Sequence, residues 1–475
     1  MLRPAMPVAP WWTALWVVLL GGLGVSLAGE TPAQDDLEVL PMEALEQRVD
    51  AIDTELDQLA SFSLQSGVGR IGYRSDVLDQ PEANEWISVD LDAPHTIDQV
   101  VLVPTLWRDT YSGFRSDAFP QSFRIIAQLS AGGEPVELAS FDESDCLTPR
   151  IAPLVINIRP MEVVSVTVEA TRLTTRAWDG MFVLQLSEIL LFDGPDNVAL
   201  NQSIRVPNPH RNEGPAREPK FVVDGSLPYL MDAADGKQSV AFVSEVGIGA
   251  QPSLTVDLGE TFTINRFHLH TVDVSDTVPQ GTSTEFGLPR HLKVEASQDS
   301  RFSSATFLFE DRFPTIYHSS PILMRCVPPT VCRYVRLTAL EPFINMEVAR
   351  PGSQIGFAEI EIFSGGTNVA LGKSVLVDFL AESPTRPLGA LTDGRNLYGR
   401  LLPVREWMGQ LARRHDLETE RPQLLAELNT RYARQRANLE KLRWLVAALT
   451  VGIVILLLIA RIVRLRQAAR IKQRL

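Results

Sequence analysis

The chain has 475 residues, of which 45% are hydrophobic, and a formal net charge of −14. That length suffices for about three domains. An acidic protein repels the phosphates of nucleic acids, so the charge argues against a nucleic-acid partner. The sequence contains no nucleophile elbow, zinc-protease helix or phosphate-binding loop, so we expect no enzyme activity from this chain.

Residues 1–28 have the pattern of a secretory signal peptide. Arg3 precedes an apolar run over 11–28, and the small residues Ser26 and Ala28 close that run. The pattern is typical of a cleaved leader, and a retained membrane anchor is the alternative. In both cases the residues that follow are expected outside the cytoplasm.

A second apolar run near the C-terminus predicts a transmembrane helix at 444–463. Its residues 444–460 carry no charge, and the long side chain of Arg461 can reach the membrane surface while the run continues. The segment 464–475 is basic and is expected in the cytoplasm, in contact with anionic membrane lipid. We therefore predict a single-pass membrane protein whose N-terminal bulk is extracytoplasmic, in the periplasm or at the cell surface.

Two parts of the chain repeat each other. The tag Asn-Val-Ala-Leu occurs at 197–200 and again at 368–371. Upstream of each tag, matching segments alternate apolar and polar residues without a strong helical period, which is typical of strands with one buried face. We therefore expect a mainly β fold class with two related antiparallel β-sandwiches. In order, 86–102, 119–125, 166–170 and 186–194 match 253–269, 288–294, 335–339 and 357–365, at offsets of 167 to 171 residues.

The repeated pattern resembles the discoidin domain, which is the coagulation factor 5/8 C-type module of the galactose-binding-like jelly-roll fold. The resemblance is carried by the tags, by Val-Asp-Leu-Gly at 256–259, by Glu-Ile-Glu-Ile-Phe-Ser-Gly-Gly at 359–366 and by an Asp-Gly turn within 222–226. Members of the family begin with such a tag. The resemblance therefore implies modules at 62–195, without the family start, and at 196–366, followed by a truncated third module or linker over 367–421.

Two further segments are expected to be helical. The segment 35–61 has apolar residues at heptad spacing, which suits either packing against the chain's own domain or a coiled coil in a homodimer. Pro422 suits the first turn of a second helix, a stalk over 422–443 that continues into the membrane. Such a stalk is either an inert spacer or a carrier of signals. The heptad residues of the first segment are Leu45, Val49, Ile52, Leu56 and Leu59.

The resemblance places ligand contacts in the loops at one end of a sandwich. In the first copy those loops are rich in aromatic and arginine side chains, which can stack on sugar rings and bond to their hydroxyl groups. We therefore predict a carbohydrate or other cell-surface ligand at this end, and the alternative is that the tryptophans close the core. The predicted ligand-binding residues are Trp107, Arg108, Tyr111, Arg115, Arg176 and Trp178.

Two structural features are also expected. Cys326 and Cys332 lie in an exported segment and are predicted to form a disulfide across a small hairpin, whereas Cys146 has no evident partner. The resemblance further implies a structural calcium ion near the Asp-Gly turn, with Asp224 as a ligand. No other cofactor is expected.

The basic segment 464–475 is similar to the linker that enters the phosphoacceptor helix of sensor histidine kinases. The leading hypothesis is therefore a carbohydrate-binding receptor, the input region of a transmembrane signalling protein whose transmitter lies elsewhere. A glycan-binding adhesion or scaffold protein with a passive anchor is the alternative. A glycan-processing subunit is a third hypothesis.

Overall fold

The computed structural model describes most of the chain from residue 40 to residue 472. It is mainly β, with one helix at each end of the described part, which confirms the predicted fold class. The signal-peptide prediction for 1–28 lies outside the described residues. Between 40 and 472, the residues left undescribed are 65–71, 110–112, 146, 148–149, 208–216, 234, 236, 245, 273–286, 314–319, 346–351 and 380–385.

The helices and strands follow each other in a repeated order. The helices are α1 (Met42–Leu56) and α2 (Val404–Lys472), with 3-10 turns at Glu143–Asp145, Pro219–Val222 and Leu388–Leu391. The strands up to residue 205 are β1 (Ser63–Leu64), β2 (Tyr73–Arg74), β3 (Glu82–Val103), β4 (Leu106–Asp109), β5 (Gly113–Ser116), β6 (Ser122–Gln128), β7 (Pro135–Phe141), β8 (Leu154–Arg172), β9 (Thr174–Thr175), β10 (Phe182–Val183), β11 (Gln185–Leu186), β12 (Glu188–Asp193), β13 (Asp196–Asn197) and β14 (Ser203–Arg205). The strands that follow are β15 (Tyr229–Leu230), β16 (Phe242–Val243), β17 (Val246–Gly247), β18 (Ser253–His270), β19 (His291–Ser297), β20 (Thr306–Arg312), β21 (Ile322–Glu341), β22 (Phe343–Asn345), β23 (Gly352–Gln354), β24 (Gly356–Phe357), β25 (Glu359–Ser364), β26 (Thr367–Asn368), β27 (Ser374–Val377), β28 (Arg395–Asn396) and β29 (Gly399–Arg400).

The two repeats have the same sheet topology. The first large sheet has the order β13-β12-β3-β8-β6-β7 with β14 beside β3, and the second has the order β26-β25-β18-β21-β19-β20 with β27 beside β18. All strand pairs in both large sheets are antiparallel. The predicted duplication is thus confirmed strand by strand.

Each large sheet encloses its own core because register shifts within its longest strands change which residues face inward. In β3 the pairing with β8 shifts between Ile97 and Gln99, and this shift moves the inward positions from odd to even residue numbers. Val89 from the first half of β3 and Val100 from the second half consequently lie in the same buried core. β18 and β21 repeat this arrangement in the second sandwich, around a core of their own.

The boundaries between the modules differ from those that the resemblance implied. The strand after the first tag, β14, pairs with β3 of the first sandwich, and the strand after the second tag, β27, pairs with β18 of the second sandwich. Each Asn-Val-Ala-Leu tag therefore ends a sandwich instead of starting the next. The predicted third module over 367–421 is not a separate unit, because its strand completes the second sheet.

A third core joins the two sandwiches to the beginning of α2. Val101 of the first sandwich, Met324 of the second and Trp407 of α2 all belong to it. Tyr229, in the connection between the sandwiches, packs edge-on against Trp407 with ring centroids 6.3 Å apart. Arg405 donates to Asp98 at 2.8 Å and so fixes the first turn of α2 to the first sandwich. Both sandwiches thus contact the same end of one helix.

α2 starts earlier than the predicted stalk. The helix begins at Val404, and Pro422 lies in its interior rather than in its first turn. The predicted stalk at 422–443 and span at 444–463 are parts of this one helix of 69 residues. Among the described residues, it is the one helix long and apolar enough to cross a membrane, and none of its most apolar window is buried.

α1 packs antiparallel against α2 of the same chain. Leu45, Val49 and Ile52 are buried in a small core with Leu417 and Leu424 of α2. Of the two predicted alternatives for the heptad, packing within the chain is the one that the structure contains. Ion pairs line both sides of this core, namely Glu55–Arg413 at 2.6 Å, Arg48–Glu420 at 2.6 Å and Asp53–Arg421 at 2.5 Å.

Candidate functional site

Two loops that carry the predicted ligand-binding residues meet at one end of the first sandwich. The hairpin of β4 and β5 pairs Trp107 with Arg115, and the hairpin of β9 and β10 carries Arg176 and Trp178 at its turn. Asp117, directly after β5, accepts the backbone N–H of Ala177 at 2.6 Å. This bond ties the two hairpins together, so the predicted residues share one end of the domain.

A buried polar network holds this end in place. Gln185 of β11 donates to the carboxylate of Asp117 at 3.0 Å and accepts a bond from Arg74 of β2. Gln185, Asp117 and Arg74 are 0%, 2% and 5% exposed. Buried and mutually bonded side chains of this kind give a loop a fixed position. The hairpins therefore rest on the sandwich itself, as a preorganised site requires.

Trp178 is an exposed aromatic group among the described residues of the site. Its side chain is 56% exposed, and the guanidinium carbon of Arg176 lies 4.4 Å from the centroid of its ring. Arg176 is itself 4% exposed and forms a two-pronged ion pair with Asp179, at 2.6 and 2.7 Å. Because Arg176 bonds to Asp179, the pKa of the Asp179 carboxyl is lowered. Arg176 thus supports the indole from within the loop, and Trp178 is the group presented to solvent.

The remaining predicted residues divide into three cases. Trp107 is half-buried and Arg115 is exposed, on neighbouring strands of the same hairpin. Arg108 holds a position on β4 opposite Phe114. Tyr111 lies outside the described residues, as does Phe286 in the corresponding loop of the second sandwich.

Sequence reasoning missed the segment 75–80, which borders the same end. Leu78 forms a bridge with Phe182 of β10, next to the Trp178 turn. In this segment Asp76 has a buried carboxylate oxygen without a hydrogen-bond partner in the described part of the chain. Burial, assisted by the neighbouring Asp76, raises the pKa of Glu85 on β3. Buried carboxyl groups therefore lie in the part of the sandwich that adjoins this segment, and no local sequence motif reveals them.

The Asp-Gly turn to which the resemblance assigned calcium lies at another part of the first sandwich. Asp224 accepts the N–H of Ser226 at 2.9 Å, and the buried Glu188 accepts the N–H of Gly225 at 2.8 Å. Two carboxylates thus approach one turn, whereas calcium takes about six to eight oxygen ligands. Within the described ranges, no group of three or more His, Cys, Asp or Glu side chains is arranged to hold a metal ion. The calcium ion at Asp224 stays a prediction.

The predicted disulfide is wrong. Cys326 and Cys332 are both free and lie on the single strand β21, opposite Arg266 and Phe262 of β18. Those partners are four positions apart on β18, so the two cysteines are about 13 Å apart at roughly 3.3 Å per residue. A disulfide needs α-carbons within about 7 Å. The prolines between the cysteines occupy an irregular part of the strand instead of a hairpin turn, and Cys146 lies outside the described residues.

Comparisons with known proteins give structural likenesses only, since no protein-family model and no curated protein matches the chain. One similar structure is CpGH89CBM32-5 of Clostridium perfringens in complex with GalNAc-β-1,3-galactose, at 19% identity over 30% of this chain and 85% of that chain, with a TM-score of 0.19. A second is the CBM32-1 and CBM32-2 pair of Clostridium perfringens ZmpB, at 10% identity over 66% of this chain and 96% of that chain, with a TM-score of 0.20. A third is the F-lectin of striped bass (Morone saxatilis) serum, at 12% identity over 65% of this chain and 97% of that chain, with a TM-score of 0.18.

Proposed function

We propose that this chain is a membrane-anchored receptor that binds carbohydrate outside the cytoplasm, at the Trp178 end of its first sandwich. The observation that carries the proposal is the exposed Trp178 ring, supported 4.4 Å away by an Arg176 guanidinium that is fixed by Asp179. A sugar ring presents an apolar C–H face and a rim of hydroxyl groups. An indole held rigidly in water offers the flat apolar surface that such a face needs.

The polar groups around Trp178 suit the hydroxyl rim of a sugar. Asp179 is an acceptor next to Trp178 in the same turn, and the exposed Arg115 is a donor on the adjoining hairpin. Charged acceptors and arginine forks make the stronger hydrogen bonds to neutral ligands. Because the Asp117 network fixes both hairpins, little ordering is required when the ligand binds.

We further propose that the chain is the input region of a signalling protein, in which ligand binding acts on α2. The support is the continuity of α2, which begins in the core between the two sandwiches and runs without interruption into the apolar span. A passive anchor for an adhesion or scaffold protein needs no helix seated between its domains. For this reason we prefer a receptor, such as the extracytoplasmic part of a histidine kinase, to the adhesin hypothesis.

Glycan binding by the full chain in detergent micelles tests the proposed site. We expect binding on a glycan array, with GalNAc-β-1,3-galactose as the first probe in calorimetry, and a loss of tenfold or more in Trp178→Ala. The matched control is Phe307→Ala, which removes another exposed aromatic side chain, 58% exposed on β20 of the second sandwich. A silent array, or equal binding by wild type and Trp178→Ala, would contradict the carbohydrate proposal.

A further inference from the structure

A cleft lies where the two sandwiches meet the start of α2. Its volume is about 270 Å³. The first sandwich contributes Phe192 and Asn197, and the second contributes His268, Met324 and Glu361. The segment 401–404, which leads into α2, forms the remaining wall. The cleft is separate from the Trp178 end, because its lining comes from the outer faces of the large sheets and the connection to the helix.

His268 and Glu361, which line the cleft, form an ionisable trio with the neighbouring His270. The carboxylate oxygen Oε2 of Glu361 lies 3.0 Å from Nε2 of His270 and 3.4 Å from Nδ1 of His268. Burial disfavours the charged form of Glu361, but the two histidine contacts outweigh it and hold its pKa at about 2. Burial lowers the pKa of His268, despite the opposing effect of Glu361. The trio therefore holds an ionised carboxylate between buried imidazoles.

The duplicated sandwich shows that the fold does not need this trio. The register pairs His270 with Glu359 in the second sheet and Val103 with Glu188 in the first, so the two sheets correspond residue by residue. At the positions of His268, His270 and Glu361 the first sandwich has Val101, Val103 and Leu190, all fully buried. Placing charged groups on a covered face costs free energy that valine and leucine do not cost. The trio therefore calls for a role other than packing.

The ionisable groups that face the cleft each have a polar partner within the protein. Glu361 is paired with His270, and Arg266 is paired with Asp196 while its guanidinium lies 4.4 Å from the ring centroid of Phe363. His268 contacts Glu361 through Nδ1, and its other ring nitrogen has no partner among the described residues. A charged ligand would leave a charge without compensation in this cleft. Glu361 already accepts a bond from Asn368 at 3.3 Å through Oε1, and an uncharged ligand with hydroxyl groups would add a donor to this carboxylate and a partner for the second ring nitrogen of His268.

Two imidazoles and a carboxylate are also typical ligands of a metal ion, which is the alternative occupant of this cleft. The donor atoms do not support it, because in the part of the chain that the structure describes no set of three or more such side chains is arranged around a metal position. The lining also contains apolar side chains, such as Phe192, Leu200 and Met324, beside the polar Asn197 and Asn368. A mixed lining of this kind is typical of sites for small organic molecules.

We propose that this cleft is a second ligand site, for a small uncharged ring compound with several hydroxyl groups, of the size of one monosaccharide. Hydroxyl groups of the ligand bond to Glu361 and His268, and its apolar face lies against Phe192 and Met324. The bound compound contacts both sandwiches and the 401–404 segment at once. It therefore stabilises one arrangement of the sandwiches around the first turn of α2. This inference does not depend on the carbohydrate site at Trp178.

The test uses the full chain in detergent micelles, in the Trp178→Ala background so that the cleft alone is measured. The probes are D-galactose, N-acetyl-D-galactosamine and myo-inositol, followed by saturation-transfer NMR. The cleft variant combines His268→Val, His270→Val and Glu361→Leu, and so copies the first sandwich. Because apolar replacement of a buried ionic group is often neutral or stabilising, we expect this variant to unfold at the same temperature or higher. We expect its probe binding to fall at least tenfold.

A second variant distinguishes loss of the ligand site from loss of folding. Leu371 lines the cleft and is 55% exposed, so Leu371→Trp fills the opening without touching the trio. Loss of probe binding in this variant, with an unchanged unfolding temperature, supports the cleft as the site. The proposal is overturned if none of the three probes binds the Trp178→Ala protein. It is equally overturned if a folded cleft variant of either kind binds the probe as well as that parent does.

Discussion

Glu188 and Glu359 occupy equivalent positions in the two sandwiches, and both are fully buried. Each accepts the backbone N–H of the glycine in an Asp-Gly turn, Gly225 at 2.8 Å and Gly394 at 2.9 Å. Both glycines have positive φ, 79° and 73°, which other residues rarely adopt. The buried carboxyl group and the turn are thus one structural unit. This explains why a strand glutamate and an Asp-Gly pair recur together in the sequence.

We predict that Glu359 makes the second sandwich less stable as the pH rises. Burial raises its pKa from 4.5 to about 9, so the folded protein keeps this proton at neutral pH while the unfolded chain releases it. The folded state therefore binds more protons over that window, and its stability falls from about pH 4.5 towards pH 9. Glu359→Gln keeps an acceptor for Gly394 and cannot ionise. We expect the same thermal midpoint as wild type near pH 5 and a higher midpoint at pH 8.

Thermal unfolding of the full chain between pH 5 and pH 9 measures this effect. The control is Glu260→Gln, which neutralises an exposed glutamate of the same sandwich. Its curve should run parallel to that of the wild type. A Glu359→Gln curve that is also parallel to the wild-type curve would show that the carboxyl group is ionised in the folded state.

The candidate site was predictable only in part at this scale. Trp178 is recognisable from composition, since an aromatic residue among arginines in a loop suits sugar binding. Arg176 was predicted as a ligand contact, but its bonds to Asp179 give it a supporting position. The Asp117–Gln185 bond joins residues 68 positions apart, and no local pattern reveals such a pair.

At the scale of the elements, α1 and α2 form an antiparallel helix pair. The heptad spacing predicted the residues that α1 contributes to the interface, but not those of α2. Ile52 is fully buried between the helices. The spacing cannot say whether the partner helix belongs to the same chain or to another copy. Here the partner is α2 of the same chain, whose apolar face packs against α1 through Leu417 and Leu424.

We predict that Ile52→Ala destabilises the packing of α1 against α2 by about 3 kcal/mol, because it removes buried methyl groups and leaves a cavity. Gln47→Ala, on the exposed face of α1, is the control and should change stability by less than about 0.5 kcal/mol. Hydrogen exchange of the α1 amides measures the difference. Equal protection of α1 in the two variants would mean that this helix does not depend on α2.

The start of α2 was misjudged because Pro422 is a favourable residue for a first turn. A proline in a helix interior removes one backbone bond and crowds the preceding turn, at a cost of about 3 kcal/mol or more. Here α1 lies alongside this weak point, with ion pairs to Glu420 and Arg421. The spacing of Val404, Trp407 and Leu411 was the signal for the earlier start, since these residues recur at a helical period.

At the scale of the whole molecule, the duplication was predictable and the module boundaries were not. Matching segments fix the order of the strands, but a strand that lies between two sheets can pair with either of them. The resemblance assigned 196–205 to the following module, whereas β14 pairs with the preceding β3. The module to which this strand belongs is decided by its hydrogen-bond partners, and those partners lie about 115 residues away in the sequence.

The orientation across the membrane remains a prediction, and reporter fusions in a bacterial host test it. We expect a green fluorescent protein fused after Leu475 to fluoresce, because the predicted leader directs the sandwiches out of the cytoplasm and leaves the segment after the span inside. Alkaline phosphatase at the same position should be inactive. Alkaline phosphatase fused after Gln435, ahead of the span, is the control and should be active. The reverse activities would place the sandwiches on the cytoplasmic side.

The unbroken run of α2 has a mechanical consequence. At roughly 1.5 Å per residue, its 69 residues extend about 100 Å. One end of this rod is seated among Trp407, Met408 and Leu411, between the two sandwiches. A pivot of one degree at that seat displaces the far end by about 2 Å, by the geometry of a lever of that length. Rearrangements too small to disturb either sandwich would thus be magnified at the opposite face of a bilayer.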